Sequence, residues 1–245
     1  MFYFVAVSLT RLERYDDSMD MLSKMLASGS DQSLLVEPAG LAALRLPLLP
    51  AEIPPDRHEL VRIAGRAVVA MQTQHYEDAE ANFNELEQSY PKEPGVHFLY
   101  GAYLMQLHPE DGIRQMKREL EISPSHVLAR IRLADQYLSQ QQPDQALVLA
   151  EEAIKLDPRR ASAHMLAGEA LVANGKLADG IKSLETARDL DPLNSRIHWD
   201  LMRGYLSSGR TEDAKHEKAE IEKLSQTASG SGPAQDEKSI DPVPK

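Results

Sequence analysis

A 34-residue clock runs through most of this 245-residue chain and constrains its fold more tightly than any single motif. Pro91, Pro124, Pro158 and Pro192 are spaced 33, 34 and 34 residues apart. Ala79, Gly112, Ala146, Gly180 and Ala214 keep the same time, and Ala67, Gly101, Ala134 and Gly168 form a second small-residue series. A third series is Leu86, Ala153, Ala187 and Ile221, with Glu119 as its odd member. The single missing residue falls between Gly101 and Gly112, inside one turn. Periods of this length mark stacked repeats, because one helix pair cannot bury its own apolar face and needs neighbours to do so. Small residues at two fixed offsets let paired helices approach closely at their crossing. The Asp157-Pro158 and Asp191-Pro192 pairs stop a helix, since the residue before proline is pushed out of the α region. Gly175 and Gly209 suit an inter-helix turn that needs a left-handed residue.

The residues within each period resemble the tetratricopeptide repeat, two antiparallel helices with a W-x2-L-G-x2-Y, A-x3-F and closing Pro pattern. The cleanest copy is Leu133-Ala134-x2-Tyr137, then Ala146-x3-Ala150-x2-Ala153, then Leu156-Asp157-Pro158. Ala167-Gly168-x2-Leu171, Gly180-x3-Leu184-x2-Ala187 and Leu190-Asp191-Pro192 follow it. Tyr76-Glu-Asp-Ala79-x3-Phe83 and Leu201-x3-Tyr205 with Gly209-Arg210-Thr-Glu-Asp-Ala214 give two more. The resemblance implies an all-α, right-handed α-solenoid of helix-turn-helix repeats. Five tandem repeats are expected over 60–225, at about 60–92, 93–126, 127–160, 161–194 and 195–225. Glu119, Met202 and Arg130 depart from the pattern, and each is expected to loosen one interface.

The ends differ. Residues 1–30 carry an incomplete helix pair on the same offsets (Ala6, Leu9, Tyr15, Ser18, Leu22, Met25), beginning about two residues into its first helix. The expectation is a chain that starts inside a longer solenoid or at a misassigned start codon. The apolar N-terminus lacks a basic region and a small-residue cleavage site, so it reads as helix rather than signal peptide. Residues 31–59 break the clock and hold five of the fifteen prolines, yet are apolar. A solvated linker would be polar. They read as an insertion with a short helix near 39–46 packed on the repeats, or as an interaction segment. Residues 226–245 read as a disordered tail.

Composition closes several doors. There is no Cys, so no disulfide or thiolate metal site. No apolar run approaches the length of a membrane span. Net charge is −11, which argues against a nucleic-acid ligand. Nucleotide-loop, zincin, nucleophile-elbow and EF-hand motifs are missing, so no catalytic, cofactor or metal residues are assigned, and the chain reads as non-enzymatic. His97, His164 and His198 share one register of successive first helices. Packed helices lie about 8–10 Å apart, whereas zinc ligands sit about 2 Å from the metal. These histidines are therefore expected to be packing residues.

The resemblance implies a concave groove lined by the second, fifth, ninth and twelfth positions of each first helix. The offsets select Val68, Met71, Phe98, Met105, Ile131, Asp135, Met165, Glu169, Arg196, Trp199 and Arg203 as the partner-binding residues, with Val61, Ala64 and Leu206 in the same rows. Such a Met- and aromatic-bearing surface suits a peptide or helix. The Lys and Asn residues of the carboxylate-clamp subclass are missing at these positions. The expected function is a protein–protein interaction scaffold. The alternative is the regulatory or substrate-recognition portion of a larger enzyme or envelope complex. A third reading is self-association through repeat ends, Phe2 to Phe4 in particular.

Overall fold

The structure, a computed structural model, describes residues 2–229. Every regular element among them is helical. The chain divides into two compact units, 1–136 and 137–245, and the division falls within a helix, α8 (Val127–Ser139).

The first unit holds α1 (Phe2–Arg11), α2 (Tyr15–Ala27), α3 (Gln32–Ala43), two 3-10 turns (Pro50–Glu52 and Pro55–Arg57), α4 (His58–Gln72), α5 (Tyr76–Ser89), α6 (Val96–Leu107) and α7 (Pro109–Ile122). The second holds α9 (Pro143–Leu156), α10 (Ala161–Ala173), α11 (Leu177–Leu190), α12 (Ser195–Ser207) and α13 (Thr211–Ser229). Helix α13 runs past residue 225 to Ser229, and the expected tail lies outside the described residues from 230 on.

The turns explain the clock. Gln74, Gln141, Gly175 and Gly209 share one register, and each has a positive φ, between 58° and 75°. In all four turns the next residue (His75, Gln142, Lys176, Arg210) donates its N–H to the carbonyl five residues back. That closes the helix end with a left-handed cap. The α6–α7 turn lacks this residue: His108 has φ −137° and Pro109 opens the next helix at once. The residue missing from the sequence period is the left-handed one. At the other end of each pair, Tyr90, Ser123, Asp157 and Asp191 leave the α region with φ between −122° and −141°. Pro91, Pro124, Pro158 and Pro192 follow them.

The small residues sit at helix crossings. A Cβ on Gly168 would lie 2.9 Å from the carbonyl oxygen of Gly180, and one on Gly180 would lie 2.8 Å from that of Gly168. Phe83, fully buried, stacks on Tyr100 and Tyr103 at centroid distances of 5.4 and 4.8 Å and fills the space beside Ala67 and Ala79.

Segment 31–59 carries a 12-residue helix, α3, that begins seven residues before the short helix expected near 39–46. Asp31 caps it by accepting the Ser33 N–H at 3.0 Å, and Pro38 lies inside it, buried. Helix α3 packs on α4 through reciprocal glycines. A Cβ on Gly40 would strike the Val61 carbonyl, and one on Gly65 the Val36 carbonyl. Because 36 pairs with 65 and 40 with 61, the two helices are antiparallel and nearly in backbone contact. Leu35, Ala39 and Ala42 bury against Val68 and Val69, and Leu41 and Leu44 against Leu60, Val61 and Ala64. Each such leucine contributes roughly 1.5–3 kcal/mol.

Candidate functional site

The expected groove residues part company once α3 is in place. Val68 is 1% exposed and belongs to the core with Leu35 and Ala39, and Val61 and Ala64 are equally buried. Val68 is therefore a core residue and not a groove residue, because α3 covers that face of α4. Met71 is half-buried against the Phe83 cluster. Phe98 is half-buried, its ring 4.6 Å from that of His126, whose imidazole is held below its ordinary range chiefly by burial. Met105 is half-buried against Gly112, and Ile131 and Asp135 of α8 are half-buried.

Glu119 corrects the sequence expectation for its register. It is fully buried, and its Oε1 accepts the Gly95 N–H at 2.8 Å while Oε2 accepts the Phe98 N–H at 3.2 Å. It satisfies two orphan donors at the start of α6. The carboxylate joins α7 to α6 where a small residue would leave those donors bare. Gly95, with φ +88°, shapes the entry.

The histidines form a recurring latch. Nε2 of His97, His164 and His198 lies 2.9, 3.0 and 2.9 Å from the carbonyl oxygens of Pro91, Pro158 and Pro192, six residues back in each case. Each ring ties the start of a first helix to the proline that ended the preceding one. Opposite, Nδ1 of His97 meets Gln115 at 2.6 Å and Nδ1 of His198 meets buried Glu217 at 2.6 Å. Arg188 donates to the same Glu217 at 2.9 Å.

In the second unit the expected residues do converge, apart from Met165, which is 5% exposed and packs in the core. Helix α12 presents one outward stripe, Arg196, Trp199, Arg203 and Leu206, at spacings of three, four and three. Trp199 is 50% exposed and Leu206 55%. Arg196 donates to Oε2 of Glu169 on α10 at 3.0 Å, and Arg203 to Oδ1 of Asp200 at 3.4 Å. A cavity of about 250 Å³ lies beside these groups, walled by Leu138, Val172 and Leu184 and floored by Gly204. Glu169 lies beside Asp200 on this cavity, and its carboxyl is pushed up to about 7, first by burial and then by the Asp200 charge, with Arg196 pulling the other way. Nearby, Tyr205 donates to Glu185 at 2.8 Å, and burial together with that carboxylate pushes its phenol up to about 12.

Asp200 was not selected from the sequence, although a signal existed. Its register holds Gly65, Leu99, Arg132 and Leu166 in other repeats, so only its acidic sign is new there. Gln115, Glu217 and Arg188 sit on second helices, and no local pattern marks them.

The tetratricopeptide repeat model matches residues 131–195 and, in a second alignment, 168–221. The stretch 131–221 is thus matched by the tetratricopeptide repeat (TPR). Solved structures similar to this chain include a MamA RS-1 double mutant, at 20% identity and TM-score 0.63, over 71% of this chain and 98% of that one. MamA from residue 41 to its end, from Desulfovibrio magneticus RS-1, matches at 20% identity and TM-score 0.62, over 69% and 97%. A further MamA crystal structure matches at 15% and 0.59, over 75% and 98%. At these identities the likeness is one of fold. No curated protein matches the sequence. The TPR fold is an all-α scaffold for protein interaction and typically carries no catalysis. No helix among the described residues is long and apolar enough to cross a membrane.

Proposed function

We propose that this TPR protein holds a peptide or helix of a partner protein against the outward stripe of α12 and the adjoining face of α10. The supporting observation is that Trp199 and Leu206, seven residues apart on one helix, are both about half exposed, with a guanidinium beside each. Tryptophan and arginine are enriched among residues that dominate binding energy. A helix-in-groove partner reads as apolar anchors at helical spacing, and this stripe offers the complement. Arg196 and Arg203 supply guanidinium donors at its edge, paired with Glu169 and Asp200.

In the first unit, the half-buried Phe98 and Met105 on α6 are the corresponding candidates. The test captures partners from a lysate of the source organism with wild type, Phe98→Glu and Trp199→Glu, then measures the captured partner's affinity for Trp199→Ala. At least a tenfold loss with an unchanged helical circular dichroism spectrum supports the α12 stripe. Unchanged affinity in a folded Trp199→Ala protein removes that residue from the site. Partners retained by all variants place binding elsewhere, and recovery of this protein alone favours self-association.

A further inference from the structure

We infer that Glu169 and Asp200 share one proton across the α10–α12 contact, and that its loss weakens the hold of α12 on α10, making the exposed face of α12 a pH-responsive element. The inference stands whether or not that face takes a peptide. It begins from an accounting of hydrogen bonds. Glu169 uses Oε2 for Arg196, and Asp200 uses Oδ1 for Arg203. The remaining oxygens, Oε1 of Glu169 and Oδ2 of Asp200, are occluded from solvent, and no donor reaches either among the described residues. A carboxylate oxygen buried without a donor is costly. Two such oxygens on neighbouring carboxyl groups are both satisfied by a single proton held between them. The row Arg196, Glu169, Asp200, Arg203 then reads as two guanidinium caps on a proton-sharing pair.

Among the described residues, the cavity lining beside the pair adds no charged donor besides Arg203. From α12 the facing charges are Arg196 and Arg203, each on the outer oxygen of its carboxyl. From the end of α8 and from α11 the cavity wall is apolar, Leu138 and Leu184. From α10 it is Val172, and the hydroxyl of Ser207 on α12 is turned to the Arg203 carbonyl at 2.9 Å. Without the proton, two like charges face one another in a partly buried site, which neither can escape without moving α12.

The sign of the linkage follows. The Glu169 carboxyl is pushed up to about 7 in the folded protein, above the ordinary carboxylate value of about 4.3. The folded state therefore binds more protons than the unfolded chain between those values, and stability falls as pH rises through that window. One proton corresponds to about a tenfold loss in the folding equilibrium constant per pH unit. The protein contains a single Trp, Trp199, immediately before Asp200, so α12 reports on itself.

The experiment follows the whole protein from pH 5 to 8 by urea unfolding and by Trp199 fluorescence, for wild type, Glu169→Gln and Asp200→Asn, with carboxyl carbon-13 NMR of Glu169 in the wild type. A neutral amide in place of either carboxyl supplies the missing donor permanently. Both variants are expected to lose the wild-type slope across about pH 5 to 7 and to be more stable than wild type at pH 8. The wild-type fluorescence is expected to change with the midpoint of the Glu169 resonance, near neutrality, and variant fluorescence to stay flat. Stability profiles parallel to wild type in both variants would overturn the inference, as would flattening in only one of them. A Glu169 resonance that titrates in the ordinary carboxylate range would overturn it without any variant having to fold.

Discussion

Helices α4 and α12 carry the same register of the repeat, yet one is sealed and the other open. Val61, Ala64, Val68 and Met71 on α4 correspond to Arg196, Trp199, Arg203 and Leu206 on α12. On α4 Val61, Ala64 and Val68 lie under α3, with Ala64 fully buried, while on α12 Trp199 is half exposed. The side chains already differ in kind. Small aliphatic residues tolerate a helix at near-backbone contact, and Gly65 next to Ala64 admits it. Arginine and tryptophan do not pack that closely. The offsets that define a groove therefore identify a face, and the volume of the residues on it decides whether that face is closed by the chain itself or left for something else.

The sharpest way to break this comparison is at the α3–α4 crossing. Gly65→Ala places a methyl group against the backbone of Val36, which cannot rotate away, so the helices must separate. The expected cost is about 3 kcal/mol or more, read as a lowered urea midpoint. In the second unit the Gly204→Ala methyl group meets only the flexible Ile181 side chain at 3.0 Å, and the expected loss is under about 1 kcal/mol. Equal losses at the two sites would mean that α3 is not the tight lid described here.

Next in size is Glu119→Ala, which strips two donors of their acceptor at the start of α6. About 1–3 kcal/mol should be lost, with hydrogen exchange at Gly95 and Phe98 accelerated first. Smaller effects sit in the turns. Gln141→Gly relieves a left-handed residue that carries a side chain and should gain about 0.5–1 kcal/mol. Gly175→Ala, at the same register, should lose a similar amount. The smallest change is the most informative for the surface: Trp199→Ala should alter the unfolding midpoint by no more than about 0.5 kcal/mol, against a plainly measurable loss for Val68→Ala in the core.

Much of this architecture was legible because the repeat writes its own punctuation. The prolines mark where second helices end, and the small residues mark the crossings, since both follow from backbone sterics that act locally. Helix α3 was less legible: Asp31 offers a cap, but Pro38 and the broken clock argue against a helix from Gln32, and its burial against α4 decides the matter. Glu119 departs from its sequence expectation for a related reason. Its register normally wants a small side chain, and its reward, two backbone donors on another helix, appears only when α6 and α7 are brought together. In the site, the α12 stripe was visible from spacing. Asp200, which completes the carboxyl pair, was not marked by its register, which varies through Gly65, Leu99, Arg132 and Leu166.

Helix α3 also has a bearing on polarity. The turns joining α1 to α2 and α2 to α3 span only residues 12–14 and 28–31, and such short connections join antiparallel neighbours. With α3 antiparallel to α4, helix α1 runs opposite to α4, although the two share the first-helix sequence pattern. Periodicity of sequence and periodicity of direction thus separate at a single inserted helix. The odd helix turns the copy before it upside down. Lengthening this protein from its N-terminal side with ordinary two-helix modules would therefore extend an inverted frame, and a second odd helix would be needed to restore the original heading.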